Sequence, residues 1–409
     1  MTSAVVTGLG VLAPNGVGVK DFWEATLRGE TGIRPLERFD PSRYPARLAG
    51  QVAESAFDAA EHLPSRLLPQ TDRMTRMALA ATDWALADAQ VDPADLDDYS
   101  MGVITASSSG GYEFGQRELQ NLWAKGPEHV SAYQSFAWFY AVNTGQISIR
   151  NGMRGPSGVV VGEQAGGLDA LGQARRMIRR GTPLMVSGGI DSGLCPWGWI
   201  AYLSTGLVST GADPADAYLP FSDRAAGYVP GEGGAILVLE DAEQADRRGA
   251  VTNYGTLAGY AATFDAAPGS GRPPALRRAA ELALADAGLD PKDVDVVFAD
   301  AAGDPEADAQ EAEAIRGIFG ERGVPVCAPK ALTGRLSSGG APLDVVAALL
   351  SMRDGVLPPA GPVHGSAEGL GLDLVTGAPR PAEARTALVL ARGYGGFNSA
   401  VVLSGRRRS

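Results

Sequence analysis

Short apolar runs rich in β-branched residues alternate with amphipathic helical segments along this chain, in two comparable sets. The first set predicts strands at 4–10, 101–106, 158–161, 184–187 and 234–240, and helices over 75–90 and 168–180. The stretch from 188 to 228 reads as irregular. The second set predicts strands at 256–260, 294–299, 386–391 and 399–403, with helices over 275–287, 309–319 and 343–352. Repeated βα alternation packs as a mainly parallel sheet with helices on its faces. Two matched sets without visible sequence identity predict an internal duplication, with halves at 1–250 and 251–409.

One segment is built to aim a nucleophile. Val159-Val160-Val161 enters a small-residue turn at Gly162, and a long amphipathic helix leaves it after Glu163-Gln164-Ala165-Gly166-Gly167. Such a turn sets one side chain at a helix N-terminus, where free N–H groups and the dipole favour an anionic nucleophile or oxyanion. Acyl transfer wants Cys or Ser there. This chain has Gln164, a neutral amide.

The chain has 409 residues and a net charge of −12, which argues against nucleic acid or an anionic membrane as its partner. Two cysteines, Cys195 and Cys327, make no disulfide framework and predict a reducing cytosol. The N-terminus lacks the basic and apolar regions of a signal peptide, and no run of about 18 apolar residues predicts a membrane span.

The whole chain resembles the condensing enzymes of the thiolase fold. The resemblance rests on Val6-Thr7-Gly8-Leu9-Gly10, on Pro220-Phe221-Ser222-Asp223 with Gly231-Glu232-Gly233-Gly234, and on Gly393-Tyr394-Gly395-Gly396-Phe397-Asn398. Jointly these are specific to β-ketoacyl synthases. The resemblance implies duplicated α/β halves in a five-layered α-β-α-β-α body. It also implies a Cys that attacks an acyl thioester, and two His that support malonyl decarboxylation. All three slots are vacated here. Gln164 stands for the Cys, Asp300 for the first His ahead of Asp308-Ala309-Gln310-Glu311, and Arg335 for the second His after Lys330-Ala331-Leu332-Thr333-Gly334. Glu311 and Lys330 match a structural charged pair of the family, and Gly395, Gly396 and Phe397 keep its small-residue loop. His62, His129 and His364 fall outside the slots and read as surface or packing residues.

Within the family the chain resembles the chain length factors, the silent ketosynthase β subunits of bacterial aromatic (type II) polyketide synthases. Glu163-Gln164-Ala165-Gly166-Gly167, Phe136-Ala137-Trp138-Phe139-Tyr140 and Phe298-Ala299-Asp300 carry that likeness. It implies a catalytic ketosynthase α subunit as heterodimer partner and an acyl carrier protein that brings substrate on phosphopantetheine. No metal or organic cofactor is implied. Phe136, Trp138, Phe139 and Tyr140 cannot all face one core, so some are expected at an interface. Tyr112, Gly115 and Leu119 share a helical face. That helix is implied to line the end of the polyketide tunnel, with Trp197 a further wall candidate. Gly115 has no side chain and Leu119 is smaller than an aromatic ring, so a product longer than an octaketide is expected. Two rivals are a malonyl-carrier decarboxylase working through Gln164 and a homodimeric enzyme of unrelated chemistry. The missing histidines count against both, and Gln164 reads more readily as structural filling.

Overall fold

The computed structural model describes residues 3–267, 269–361 and 367–405. Five principal strands come from the first half: β1 (Ala4–Ala13), β2 (Met101–Ala106), β3 (Ser157–Val160), β4 (Leu184–Asp191) and β5 (Gly233–Asp241). Five come from the second: β6 (Gly255–Phe264), β7 (Val296–Phe298), β8 (Pro325–Cys327), β9 (Thr386–Gly393) and β10 (Phe397–Ser404). The first half orders them β1-β5-β4-β2-β3 and the second β6-β10-β9-β7-β8, the same permutation. β1 pairs with β6 (Val5 with Thr256, Val6 with Gly255), which joins both halves into one twelve-stranded sheet. The duplication predicted from the two βα sets is therefore a duplication of topology.

The sheet is mixed, not mainly parallel as the alternation predicted. β2 runs parallel to β3 and β4, but β5 is antiparallel to both β1 and β4. The second half repeats this, with β10 antiparallel to β6 and β9. The last strand of each half returns between the first and fourth, and β9 turns into β10 through the tight Gly393–Phe397 loop, so these pairs must be antiparallel.

The helices that matter for the site are α1 (Arg73–Asp88), α2 (Tyr112–Lys125), α3 (Glu163–Arg179), α4 (Pro196–Leu203), α5 (Leu276–Ala287), α6 (Pro305–Phe319) and α7 (Gly340–Asp354). Every residue of α7 from Gly340 to Ser351 is buried. A helix apolar all round belongs inside a body rather than on its surface. α7 and α3 touch each other and strands of both halves, forming the middle layer of the predicted five. α1 and α5 lie on the outer faces. α4 occupies the stretch predicted as irregular; it is short, and its Trp199 is fully buried.

Candidate functional site: vacated slots joined by one ion network

β3 feeds the chain through Gly162 into Glu163, which opens α3 with φ of 51°. A left-handed non-glycine residue stores about 1–3 kcal/mol of strain, the mark of a turn built to aim the next side chain. That side chain is Gln164, fully buried. Its amide fills the space that a Cβ on Gly340, at the start of α7, would need. With its oxygen turned to Arg335, the orientation the hydrogen bonds demand, Gln164 accepts from Nε at 3.3 Å and Nη1 at 3.0 Å.

Arg335 is the hub. It donates from Nη1 and Nη2 to the Asp300 carboxylate at 3.0 and 3.2 Å, a bidentate pair. Nε reaches Glu163 at 3.3 Å and Nη2 the carbonyl of Arg392 at 2.6 Å. The three residues that stand in the catalytic slots therefore bind one another. Burial alone would raise the Asp300 pKa, but the cations of Arg335 and Lys330 outweigh it and hold the carboxyl below its ordinary range. Burial opposes the charge on Arg335, and Asp300 and Glu163 overcome that too. Glu163 and Arg392 were not singled out in the sequence.

Two further carboxyls, Glu311 and Asp308, hold the Asp300 loop. Glu311 accepts the N–H groups of Asp300 and Ala301 at 2.7 and 2.8 Å, and Asp308 accepts those of Phe221 and Gly303 at 2.8 and 3.1 Å. Lys330 does not pair with Glu311 as the resemblance implied. It donates to the Ala299 carbonyl at 2.9 Å and ion-pairs with Asp344 of α7 at 2.6 Å. Glu311 is instead occupied by two backbone donors, and the buried carboxylate on α7 takes the ammonium.

Burial pushes Glu311 and Asp308 up to about 7, and Asp344 to about 6. These folded-state values exceed those of an unfolded carboxyl, so the folded chain binds the protons more tightly. Their contribution to stability is present at low pH and is lost as pH rises through 6 to 7. Asp300, shifted the other way, loses its contribution only as pH falls through its depressed value. The unfolding midpoint is therefore expected to be higher at pH 6 than at pH 8, with Glu311→Gln flattening the difference. A midpoint that rises from pH 6 to pH 8 in thermal melts would contradict this.

Asp300 and Arg335 border a cleft of about 620 Å³. Val161, Leu207, Tyr228, Tyr394 and Phe397 supply apolar and aromatic wall, and Glu163, Asp265, Asp300, Asp304, Arg335 and Arg392 supply charged groups. Gln164 does not line it. Gly395 and Gly396, at φ of 90° and 106°, turn β9 into β10 along its rim, and Phe397 packs edge-on against Phe264 at 5.0 Å.

The predicted gate residues come together. The Tyr112 and Trp197 rings stack with centroids 4.9 Å apart. A Cβ on Gly115 would stand 3.0 Å from Trp197 Cζ3 and 3.4 Å from Trp138 Cβ. Leu119 lies one turn further on, beside Trp123 and Trp197 around an outer hollow of about 520 Å³. Trp138, Phe139 and Tyr140 are each about 40% exposed (41, 39 and 42%), while Phe136 is half-buried against Tyr133. Tyr112, Gly115 and Trp197 thus adjoin Trp138 of the aromatic run, and Trp123, beside Leu119, is 82% exposed. β3 ends the sheet with a free edge among the described residues, and Val161 beyond it is 49% exposed. Of the histidines, His62 stacks on Phe57 and His129 is exposed; His364 lies outside the described residues.

A duplicated α/β body of this topology, with Gln164, Asp300 and Arg335 joined in one internal ion network, defines a thiolase-like ketosynthase scaffold. Residues 1–245 match the N-terminal domain of the β-ketoacyl synthases and residues 254–364 the C-terminal domain. The chain is 60% identical over 400 residues to the tetracenomycin polyketide synthase ketoacyl synthase beta subunit of Streptomyces glaucescens, covering 98% of this chain and 97% of that one. Among solved structures, the ishigamide ketosynthase/chain length factor is similar with a TM-score of 0.90 at 26% identity, over 99% of both chains. A type II acyl-carrier protein in complex with its ketosynthase bound to the hexaketide gives 0.88 at 27%, over 99% of this chain and all of that one. The chain belongs to the β-ketoacyl synthase family, on the branch of the chain length factors of type II polyketide synthases.

Proposed function

We propose that this chain is the non-condensing subunit of a ketosynthase heterodimer that builds poly-β-ketone chains from malonyl units on an acyl carrier protein. It completes the polyketide tunnel and sets chain length, longer than an octaketide. The observation that carries this reading is the Gln164–Arg335–Asp300 network, in which none of the three slot residues is free to attack a thioester or to take a proton. Arg cannot act as a base, and the Asp300 carboxylate is bound on both oxygens. Chemistry must come from a partner. The exposed aromatic patch and the free β3 edge are where such a partner fits, because an open edge and a large apolar patch are both costly to leave in water.

The decarboxylase reading finds little support. The Gln164 side chain is wholly buried, lies off the cleft, and spends its amide oxygen on Arg335. Among the described residues no helix is long and apolar enough to cross a membrane, and no cluster of His, Cys, Asp or Glu is placed to hold a metal. We place the complex in the cytosol.

The reading is tested by reconstituting the chain with a Cys-bearing type II ketosynthase and its carrier protein. A one-to-one heterodimer is expected by native mass. Gly115→Thr with Leu119→Phe is expected to shorten the product by at least one two-carbon unit. A stable homodimer indifferent to the ketosynthase, or an unchanged product, would refute it.

A further inference from the structure

The strained turn at Glu163 aims nothing into the cleft. Its φ of 51° would serve a nucleophile at the next position, but Gln164 is buried and lies off the cleft. Left-handed backbone is costly at a residue with a side chain, and it is kept where something else depends on it. Charge balance gives no reason for Glu163 either. Asp300 already neutralises Arg335 through a bidentate pair. The Glu163 carboxylate is a second anion on the same guanidinium, at 3.3 and 3.5 Å, with 26% of its side chain exposed.

What Glu163 does hold is the exit of β3. Among the described residues that strand has β2 as its one neighbour in the sheet. Val159, Val160 and Val161 run out along it with no charge or proline to blunt the open side. A four-residue strand paired on one side opens readily. Two bonds hold it from within: Thr144 Oγ1 donates to the Gly158 carbonyl at 3.0 Å, and the Ser107 N–H to the Val160 carbonyl at 3.1 Å. Beyond Val160 the clamp comes from the second half of the chain. The Gly162 carbonyl leaves no room for a Cβ on Gly393 of β9, so the two backbones meet there. Next to that contact, Arg335 joins Glu163 to the Arg392 carbonyl, which accepts from Nη2 at 2.6 Å. A buried cation of one half therefore ties down the edge strand of the other.

We infer, on the heterodimer reading above, that Arg335 and Glu163 form a strut that holds the free β3 edge in the geometry on which the partner docks. An edge already in place loses less conformational entropy on docking than one the partner must order, so its rigidity is read out as affinity. Both are positioning residues, and the slot of the second histidine serves assembly instead of chemistry.

The test measures hydrogen exchange of the lone chain and sedimentation of its mixtures with a Cys-bearing type II ketosynthase. Glu163→Gln is expected to speed exchange over residues 157–161 and to weaken association about tenfold, with the melting temperature of the lone chain nearly unchanged. Asp300→Asn with Arg335→Met removes the strut from its other end without leaving a buried charge, and is expected to weaken association to the same degree. Adding Glu163→Gln to that pair is expected to cost nothing further, because both ends act through one contact. Unchanged affinity in Glu163→Gln and in the pair, with the parent still forming a one-to-one heterodimer, would overturn the strut and leave the heterodimer reading standing. Additive losses would overturn it as well, by making Glu163 a direct contact of the partner. So would weaker association with exchange over 157–161 unaltered. A parent chain that forms no heterodimer would overturn both.

Discussion

Arg335→Met is expected to destabilise this chain by about 3–5 kcal/mol, among the largest effects a single substitution can have here. Asp300 is fully buried and Arg335 is 7% exposed, so the substitution leaves a carboxylate in the interior with its bidentate partner gone. Glu163 loses its cation and Gln164 its donors in the same step. Arg335→Lys is not conservative either, because a point charge cannot serve Asp300, Glu163, Gln164 and the Arg392 carbonyl from one plane. Adding Asp300→Asn to Arg335→Met should recover most of the loss. The buried charge disappears, and the amide oxygen can still accept the Arg392 N–H that Asp300 Oδ1 accepts at 2.9 Å. The check is denaturant unfolding of the single and double variants in the reconstituted heterodimer. A single variant within about 1 kcal/mol of the parent, or a double no better than the single, would mean that the buried ion pair adds little to the stability of the fold.

That network also shows where sequence reading stops. The resemblance assigned the three positions one at a time, each from local spacing: a strand and turn before Gln164, an Asp-x-x-Glu after Asp300, a Lys-x-x-x-Gly before Arg335. That the three replacements bind one another was not legible. Arg335 lies 172 residues from Glu163 and 35 from Asp300, and only the packing of α3 beside α7 brings them together. Asp344 could have been found: a lone carboxyl in the apolar run Leu343–Leu350 must be paired or protonated once that helix is buried. The loop over 188–228 concealed α4 because an eight-residue helix with Pro at its start and Gly198 within shows little period. Nine of the ten principal strands were placed and β8 (Pro325–Cys327) was missed, and the directions were not read, since an antiparallel return inside a βα series depends on which edge is free.

The aromatic run was legible by the opposite route, as an excess that a core could not absorb. Its energetic consequence can be measured. Trp138 and Phe139 are each about 40% exposed, yet they are held in place. The Trp138 carbonyl accepts the Gly111 N–H at 3.0 Å, and the Phe139 and Tyr140 rings pack at 4.2 Å. Aromatic side chains fixed on a surface lose little entropy on docking and are the usual carriers of interface energy, at about 2 kcal/mol or more each. Trp138→Ala with Phe139→Ala is therefore expected to weaken association with the ketosynthase by roughly a hundredfold or more. Being exposed in the lone chain, the pair should leave its own melting temperature nearly unchanged. Sedimentation of mixtures across a concentration series reads the first quantity, and a melt of the unassembled chain reads the second. Loss of folding without loss of affinity would make these rings core, and tight binding by the double variant would move the interface elsewhere. The expected pattern, weak binding by a well-folded chain, would place the partner on the face where Trp138 meets Gly115.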